Sequence, residues 1–190
     1  ERDVRIPEQH GVWQTVGDSV GPGGVFRALR HAPELAAIAR DMEALCPDAW
    51  LFNYTNPLSA LVRAVHKTSP IKAVGLCHGV LHTREAIAHD LGVAPAELRL
   101  TAAGLNHLAW VLDLRHGGED VYPRFRELVR GWLATPPPPS ADPYEGFQEV
   151  SARLMELYGY YPSPGDRHVA EFFPHFLRPT GDGLPYGTQS

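Results

Sequence analysis

An α/β fold built on a parallel sheet is predicted by three features of this 190-residue chain. Two apolar runs, residues 49–53 and 71–76, have the length of buried strands and are too short for helices. Between them, residues 57–67 return to helical spacing through Leu58, Leu61, Val62 and Val65. Strand, helix and strand in that order make a βαβ unit, whose strands run parallel and whose crossover is right-handed.

The other elements follow from the same periodicities. Over residues 32–46 the apolar positions Leu35, Ala36, Ile38, Ala39, Met42 and Leu45 recur every three or four residues, and Pro33 suits a first helical turn. A helix is predicted over 83–91, then two extended segments, 97–101 and 105–114, flanking a short turn and ended by Gly117-Gly118. Residues 121–133 and 147–158 read as helices. Between them, residues 135–143 contain four consecutive prolines and are predicted to be a stiff linker separating the sheet layer from a helical part. Residues 159–166, rich in Tyr, Pro and Gly, are predicted to be loop. No internal repeat is present.

Composition narrows the function. With 17 basic and 22 acidic residues the net charge is −5, and no basic stripe is available to track a phosphate backbone, so nucleic acid is not an expected partner. No apolar stretch approaches the roughly 20 residues of a membrane span, and a cytoplasmic location is expected. Cys46 and Cys77 are expected to be reduced thiols. Because the chain opens at Glu1 in mid-pattern, it is expected to be a piece of a longer protein.

In open parallel sheets, ligands gather beyond the carboxyl ends of the strands. Here the first strand delivers Asn53, Tyr54, Thr55 and Asn56, and the second delivers Cys77 and His78, to the same edge. Asn56, placed before Pro57, either caps the following helix or faces a ligand. Cys77 is either a small buried hydrophobe or, with His78 and the later His107, a soft donor to a transition metal. The segment 14–25 carries Gly17, Gly21, Gly23 and Gly24, which suggests a backbone that a ligand approaches closely, with Gly24 leading into a helical start. Asp166-Arg167-His168-Val169-Ala170-Glu171 sets four ionisable groups before Phe172 and Phe173, so part of it is expected to face inward.

Taken together, residues 14–24, Asn53-Tyr54-Thr55-Asn56-Pro57, Gly75-Leu76-Cys77-His78-Gly79, Gly104-Leu105-Asn106-His107 and Asp166-Arg167-His168 with Glu171 resemble glycoside hydrolase family 4. Its members are NAD- and manganese-dependent glycosidases whose fold is related to lactate and malate dehydrogenases. The resemblance implies a Rossmann-like NAD half-domain over 1–95 and a partial α+β catalytic and dimerisation region over 96–190. It also implies a redox route outside the two-carboxylate scheme of most glycosidases. Bound NAD takes a hydride from sugar C3, a base removes the acidified C2 proton, the C1 substituent leaves, water adds, and the hydride returns.

Carried onto this sequence, the resemblance implies Cys77 and His107 as ligands of Mn²⁺ or another divalent transition metal, and Asn56, His78 and Asn106 as sugar contacts. Gly17, Asp18, Gly21, Gly23 and Asn53 are implied at the cofactor. The catalytic set implied is His78 as acid for the leaving group, with Tyr161 or Asp166 as base. Relatives acting on phosphorylated sugars tend to carry aspartate at the position of His78, so an unphosphorylated α-galactoside, α-glucoside or α-uronide is the expected substrate, and a homodimer or tetramer the expected assembly. The Gly-rich dinucleotide fingerprint has no equivalent here. The alternatives are an NAD-dependent hydroxyacid dehydrogenase on the same scaffold and a non-catalytic metal- or sugar-binding piece.

Overall fold

The computed structural model describes residues 2–138, 146–179 and 184, and within them the chain forms two compact units, one up to Cys77 and one from His78 onward. The first unit holds helices α1 (Arg2–Gln9) and α2 (Gly21–Leu45), strand β1 (Trp50–Asn53), helix α3 (Leu58–Thr68) and strand β2 (Lys72–Gly75). β1 and β2 pair in parallel, Trp50 opposite Lys72 and Asn53 opposite Gly75, which is the predicted βαβ unit. Its core is small: Ala39, Val65 and Ala73 are buried, with Leu35, Leu51 and Val62 packed around them. Alanine at 36 and 39 lets α2 lie close on α3. A bond between His66 Nε2 and the Ala73 carbonyl, 3.0 Å long, ties the end of α3 to β2.

Helix α2 departs from the expectation in one respect. It starts at Gly21 rather than near residue 32, and it runs through Pro33 as an interior residue. Proline there removes one N–H from the ladder, but the helix runs 25 residues and is buried on both sides of it, at Gly23 and Gly24 before and at Ala36 and Ala39 after.

The second unit contains α4 (Gly79–Leu91), β3 (Leu98–Leu105), β4 (Leu108–His116), β5 (Glu119–Asp120), α5 (Tyr122–Ala134), α6 (Glu149–Tyr158), β6 (Tyr161–Ser163) and the short α7 (Asp166–Val169). β3 and β4 form one antiparallel hairpin paired down to Leu105↔Leu108, with a register shift at Thr101/Ala102, and the turn lies at Asn106-His107 rather than between 101 and 105. Gly117 and Gly118, at φ 59° and 90°, make the two-residue turn into β5, where positive φ at both positions matches the strand twist. The segment 159–166, expected to be loop, contributes β6, which pairs with β4 through Ala109↔Ser163 and Val111↔Tyr161. The predicted linker 135–143 is described only as far as residue 138, just beyond the end of α5.

Against this sheet pack α4, α5 and α6, burying Ile87, Leu91, Leu98, Val111, Leu114, Phe125, Val129 and Met155 in one cluster. Tyr122 closes it: its hydroxyl donates to the Val111 carbonyl and accepts from the Tyr161 N–H, each at 2.8 Å, so one buried phenol joins α5, β4 and β6. Among the described residues no helix is long and apolar enough to cross a membrane.

Asp90, in the last turn of α4, has its pKa pushed up to about 6 by burial, against the opposing pull of His89. The negative end of the helix adds to the disfavour of an ionised carboxylate there. A carboxyl raised in the folded state contributes stability that is full below pH about 4 and is lost as pH rises through about 6. Asp90→Asn is therefore expected to raise the Tm at pH 7.5 and to change it little at pH 4; equal effects at the two values would contradict this.

Candidate functional site

In the first unit the two strands end side by side. Leu76 N–H donates to the Asn53 carbonyl at 3.0 Å, one residue past the paired strands. The polar residues after β1 and the exposed Cys77 after β2 therefore emerge at one sheet edge, as parallel pairing requires. Gly75 makes room for this: a Cβ there would lie 2.2 Å from Leu58 Cδ2, so α3 can start directly over the strand end.

Asn53 shapes the loop. Its Nδ2 donates to the Thr55 carbonyl (2.9 Å) and its Oδ1 accepts from the Thr55 N–H (3.2 Å), a local turn that uses both ends of the amide. Asn56 does not cap α3, whose N-cap is Pro57. Its Nδ2 reaches 38 residues back along the chain and donates to Asp18 Oδ2 at 2.7 Å. The second carboxylate oxygen of Asp18 accepts from Ser19 Oγ at 2.8 Å, and Asp18 is only 7% exposed.

The glycines of 14–25 meet a packing requirement within this unit. The buried Gln14 lies among them and its Oε1 accepts from the Gly23 N–H at 3.0 Å, in the first turn of α2. A Cβ at Gly23 would meet the Gly17 carbonyl oxygen at 2.6 Å, the Asp3 carbonyl oxygen at 2.7 Å and Gln14 Nε2 at 2.7 Å. A Cβ at Gly17 would meet Val4 at 2.9 Å, and one at Gly21 would touch Gln14 Cδ at 3.4 Å. Of the residues expected at the cofactor, Gly17, Gly21 and Gly23 pack closely on α1 and Gln14, and Asn53 and Asp18 make hydrogen bonds within this unit.

The second unit supplies imidazoles. His107 is the second residue of the β3–β4 turn, 7% exposed, at φ 66°. That left-handed conformation costs a residue with a Cβ roughly 1–2 kcal/mol. The His107 ring lies over that of His168, centroids 3.9 Å apart and planes tilted by 34°. Sequence reasoning passed over His168 as an individual residue; the signal was present in the ionisable run expected to turn inward. Asn106 is half-buried beside His107. His78 is exposed immediately before α4 and sits edge-on to His82, centroids 4.7 Å apart, while His82 Nδ1 lies 3.6 Å from Glu85 Oε2.

The two expected bases both lie in the second unit, Tyr161 on β6 and Asp166 at the start of α7. Asp166 accepts from Val150 N–H and Ser151 N–H (2.8 Å each) and from Ser151 Oγ (2.7 Å), while its own N–H donates to Gln148 Oε1 at 2.9 Å. It caps α6 from outside the helix, filling the role of an N-cap carboxylate. Burial pushes its pKa up to about 6, against the pull of the Ser151 and Val150 bonds. Tyr161 packs edge-on to Phe125 at 5.1 Å. Burial and the carboxylates of Asp166 and Asp90 push its phenol well above 10, with a bond to Ser151 opposing them.

The donor set suits a divalent transition metal. Imidazole nitrogens and a thiolate are borderline to soft ligands, and the chain offers Cys77 in its first unit and the paired His107 and His168 in its second.

The family described as family 4 glycosyl hydrolase matches residues 1–93, and its C-terminal domain matches residues 102–183. The chain is 38% identical over 176 residues to an α-galactosidase of Bacillus subtilis (strain 168), covering 93% of this chain and 39% of that protein. An α-galacturonidase of the same organism is 37% identical over 187 residues, covering 92% and 42%. The chain thus spans about two fifths of the curated relatives it matches. Among solved structures, lplD from Bacillus subtilis is similar with a TM-score of 0.83 at 37% identity, over 90% of this chain and 42% of that one. A Thermotoga maritima 6-phospho-β-glucosidase solved with manganese, NAD⁺ and glucose-6-phosphate shares the fold, with a TM-score of 0.67 at 22% identity, over 92% and 39%.

Replacing Asp166 by asparagine sets an N–H₂ group against backbone N–H donors at the start of α6. Denaturant unfolding at pH 7 is expected to show a loss of about 1–3 kcal/mol; an unchanged midpoint would remove the capping role.

Proposed function

Because the chain belongs to the family 4 glycosyl hydrolases, we propose that it carries part of the active site of an enzyme that hydrolyses O-glycosidic bonds with NAD and a divalent metal as cofactors. The substrate in this reading is an unphosphorylated α-galactoside, α-glucoside or α-galacturonide. The α-galactosidase and α-galacturonidase relatives support it, as does His78 in place of an acidic residue. The observation that carries the metal part of the reading is the His107–His168 pair, two imidazoles stacked at a turn whose backbone conformation is costly for histidine.

Cys77, His107 and His168 are the residues proposed to hold the metal; the first two come from the sequence resemblance and the third is added by the ring pair. When bound, the nicotinamide supplies a reversible oxidant for the sugar and the metal ion a Lewis acid for its oxygens. The chain's own residues bind, orient and move protons. Asn56 holds a sugar hydroxyl, and Asn106, beside His107, makes a second contact. His78, exposed at the start of α4, gives a proton to the departing oxygen and takes one from water in the return step. Tyr161 acts as base only when a nearby cation offsets the burial and the two carboxylates that raise its phenol. A homo-oligomer working in the cytoplasm, where NAD is at hand, completes the proposal.

Hydrolysis of p-nitrophenyl α-D-galactopyranoside or an α-galacturonide is expected to need both NAD and Mn²⁺, and to fall at least about a hundredfold in Cys77→Ser. Activity that survives chelation and removal of NAD would refute the reading. Stoichiometric accumulation of NADH would instead indicate a dehydrogenase.

A further inference from the structure

We propose that Asp18 is a positioning residue: it fixes the Asn56 amide with its nitrogen turned inward, so that Asn56 presents a carbonyl oxygen and recognises a ligand group that donates a hydrogen bond. The proposal rests on the reading of Asn56 as a sugar contact and gives that contact a polarity. An asparagine amide has one face that accepts and one that donates, and in isolation it can turn either way. Here Nδ2 is committed to Asp18 Oδ2 at 2.7 Å, the short length of a charge-assisted bond. A flipped amide would set its oxygen, an acceptor, against a carboxylate oxygen at 2.7 Å, in place of the donor that the bond needs. Asp18 is itself held, 7% exposed and with its other oxygen bonded by Ser19 Oγ at 2.8 Å. The Asn56 backbone is also held, with its carbonyl 3.4 Å from His31 Nδ1.

A hydroxyl meeting Asn56 must therefore donate. A deoxy or keto carbon at the same place has no donor and loses the bond, so Asn56 reads one sugar position as a hydroxyl rather than as an oxygen of any kind.

The test uses two readouts. In the ¹⁵N–¹H spectrum of the protein, one side-chain amide proton of Asn56 is expected downfield and slow to exchange, and Asp18→Ala is expected to release it; an Asn56 amide unaffected by Asp18→Ala would overturn the proposal. In steady-state hydrolysis of p-nitrophenyl α-D-galactopyranoside, Asp18→Ala is expected to raise KM about tenfold with a smaller change in kcat. Asn56→Asp alone opposes two carboxylates and is expected to be worse. Combining Asp18→Asn with Asn56→Asp exchanges donor and acceptor, and is expected to bring KM back to within about threefold of wild type. A double variant as impaired as Asn56→Asp would show that Asp18 itself touches ligand or metal, and would overturn the assignment. If the wild-type protein hydrolyses no glycoside, the glycosidase reading fails, while the amide spectrum still decides what Asp18 does to Asn56.

Discussion

The β3–β4 hairpin closes on two residues, and the second of them, His107, is held at φ 66° with its ring buried. Much of the second unit follows from that turn. Register carries its position outward: Ala109, two residues past His107, pairs with Ser163 of β6, and from Ser163 the chain needs only five residues to reach His168 on α7. Strand pairing thereby delivers two imidazoles, 61 positions apart in the chain, to ring contact. Asp166 helps at the other end, since its carboxylate pins the start of α7 to the start of α6. A left-handed residue other than Gly is most often Asn, Asp or His. The conformation still costs a residue with a Cβ, and strain of that kind clusters at functional positions.

The first unit works by a different device. Its polar edge is organised by acceptors and donors that satisfy one another: Asn53 within its own turn, Asn56 with Asp18, and Gln14 with the first turn of α2. Each bond removes a rotational choice from a side chain near the strand ends. The glycines belong to the same arrangement, because only residues without a Cβ let α1, α2 and Gln14 come so close.

The βαβ unit could be read from the sequence because its strands and helix each carry a full period of apolar residues. The start of α2 could not, since Gly21, Pro22, Gly23 and Gly24 look like loop and are helical only through tertiary packing and the Gln14 bond. β6 was hidden for a similar reason: three residues with a proline in the middle have no periodicity, and it is pairing with β4 that makes them a strand. At the site, motif resemblance found His107 and Asn56 but not what they touch. His168 becomes the partner of His107 through strand register, and Asp18 that of Asn56 through loop closure, which no local pattern encodes. Asp166 and Tyr161 show the converse: the motif named them, and only the fold shows that one bonds the start of α6 and that burial raises the phenol of the other.

The central claim is that His107 occupies its turn for the metal rather than for the fold, and replacing it with asparagine separates the two. Asparagine tolerates the left-handed conformation and still fits a two-residue turn. The most direct measurement is the Tm of the wild-type protein and of His107→Asn, each with and without Mn²⁺. The account predicts that the wild type is stabilised by Mn²⁺, while the variant without metal stays within about 1 kcal/mol of wild type and gains nothing from it. A variant that unfolds without metal, or one that keeps the full Mn²⁺ shift, would contradict it.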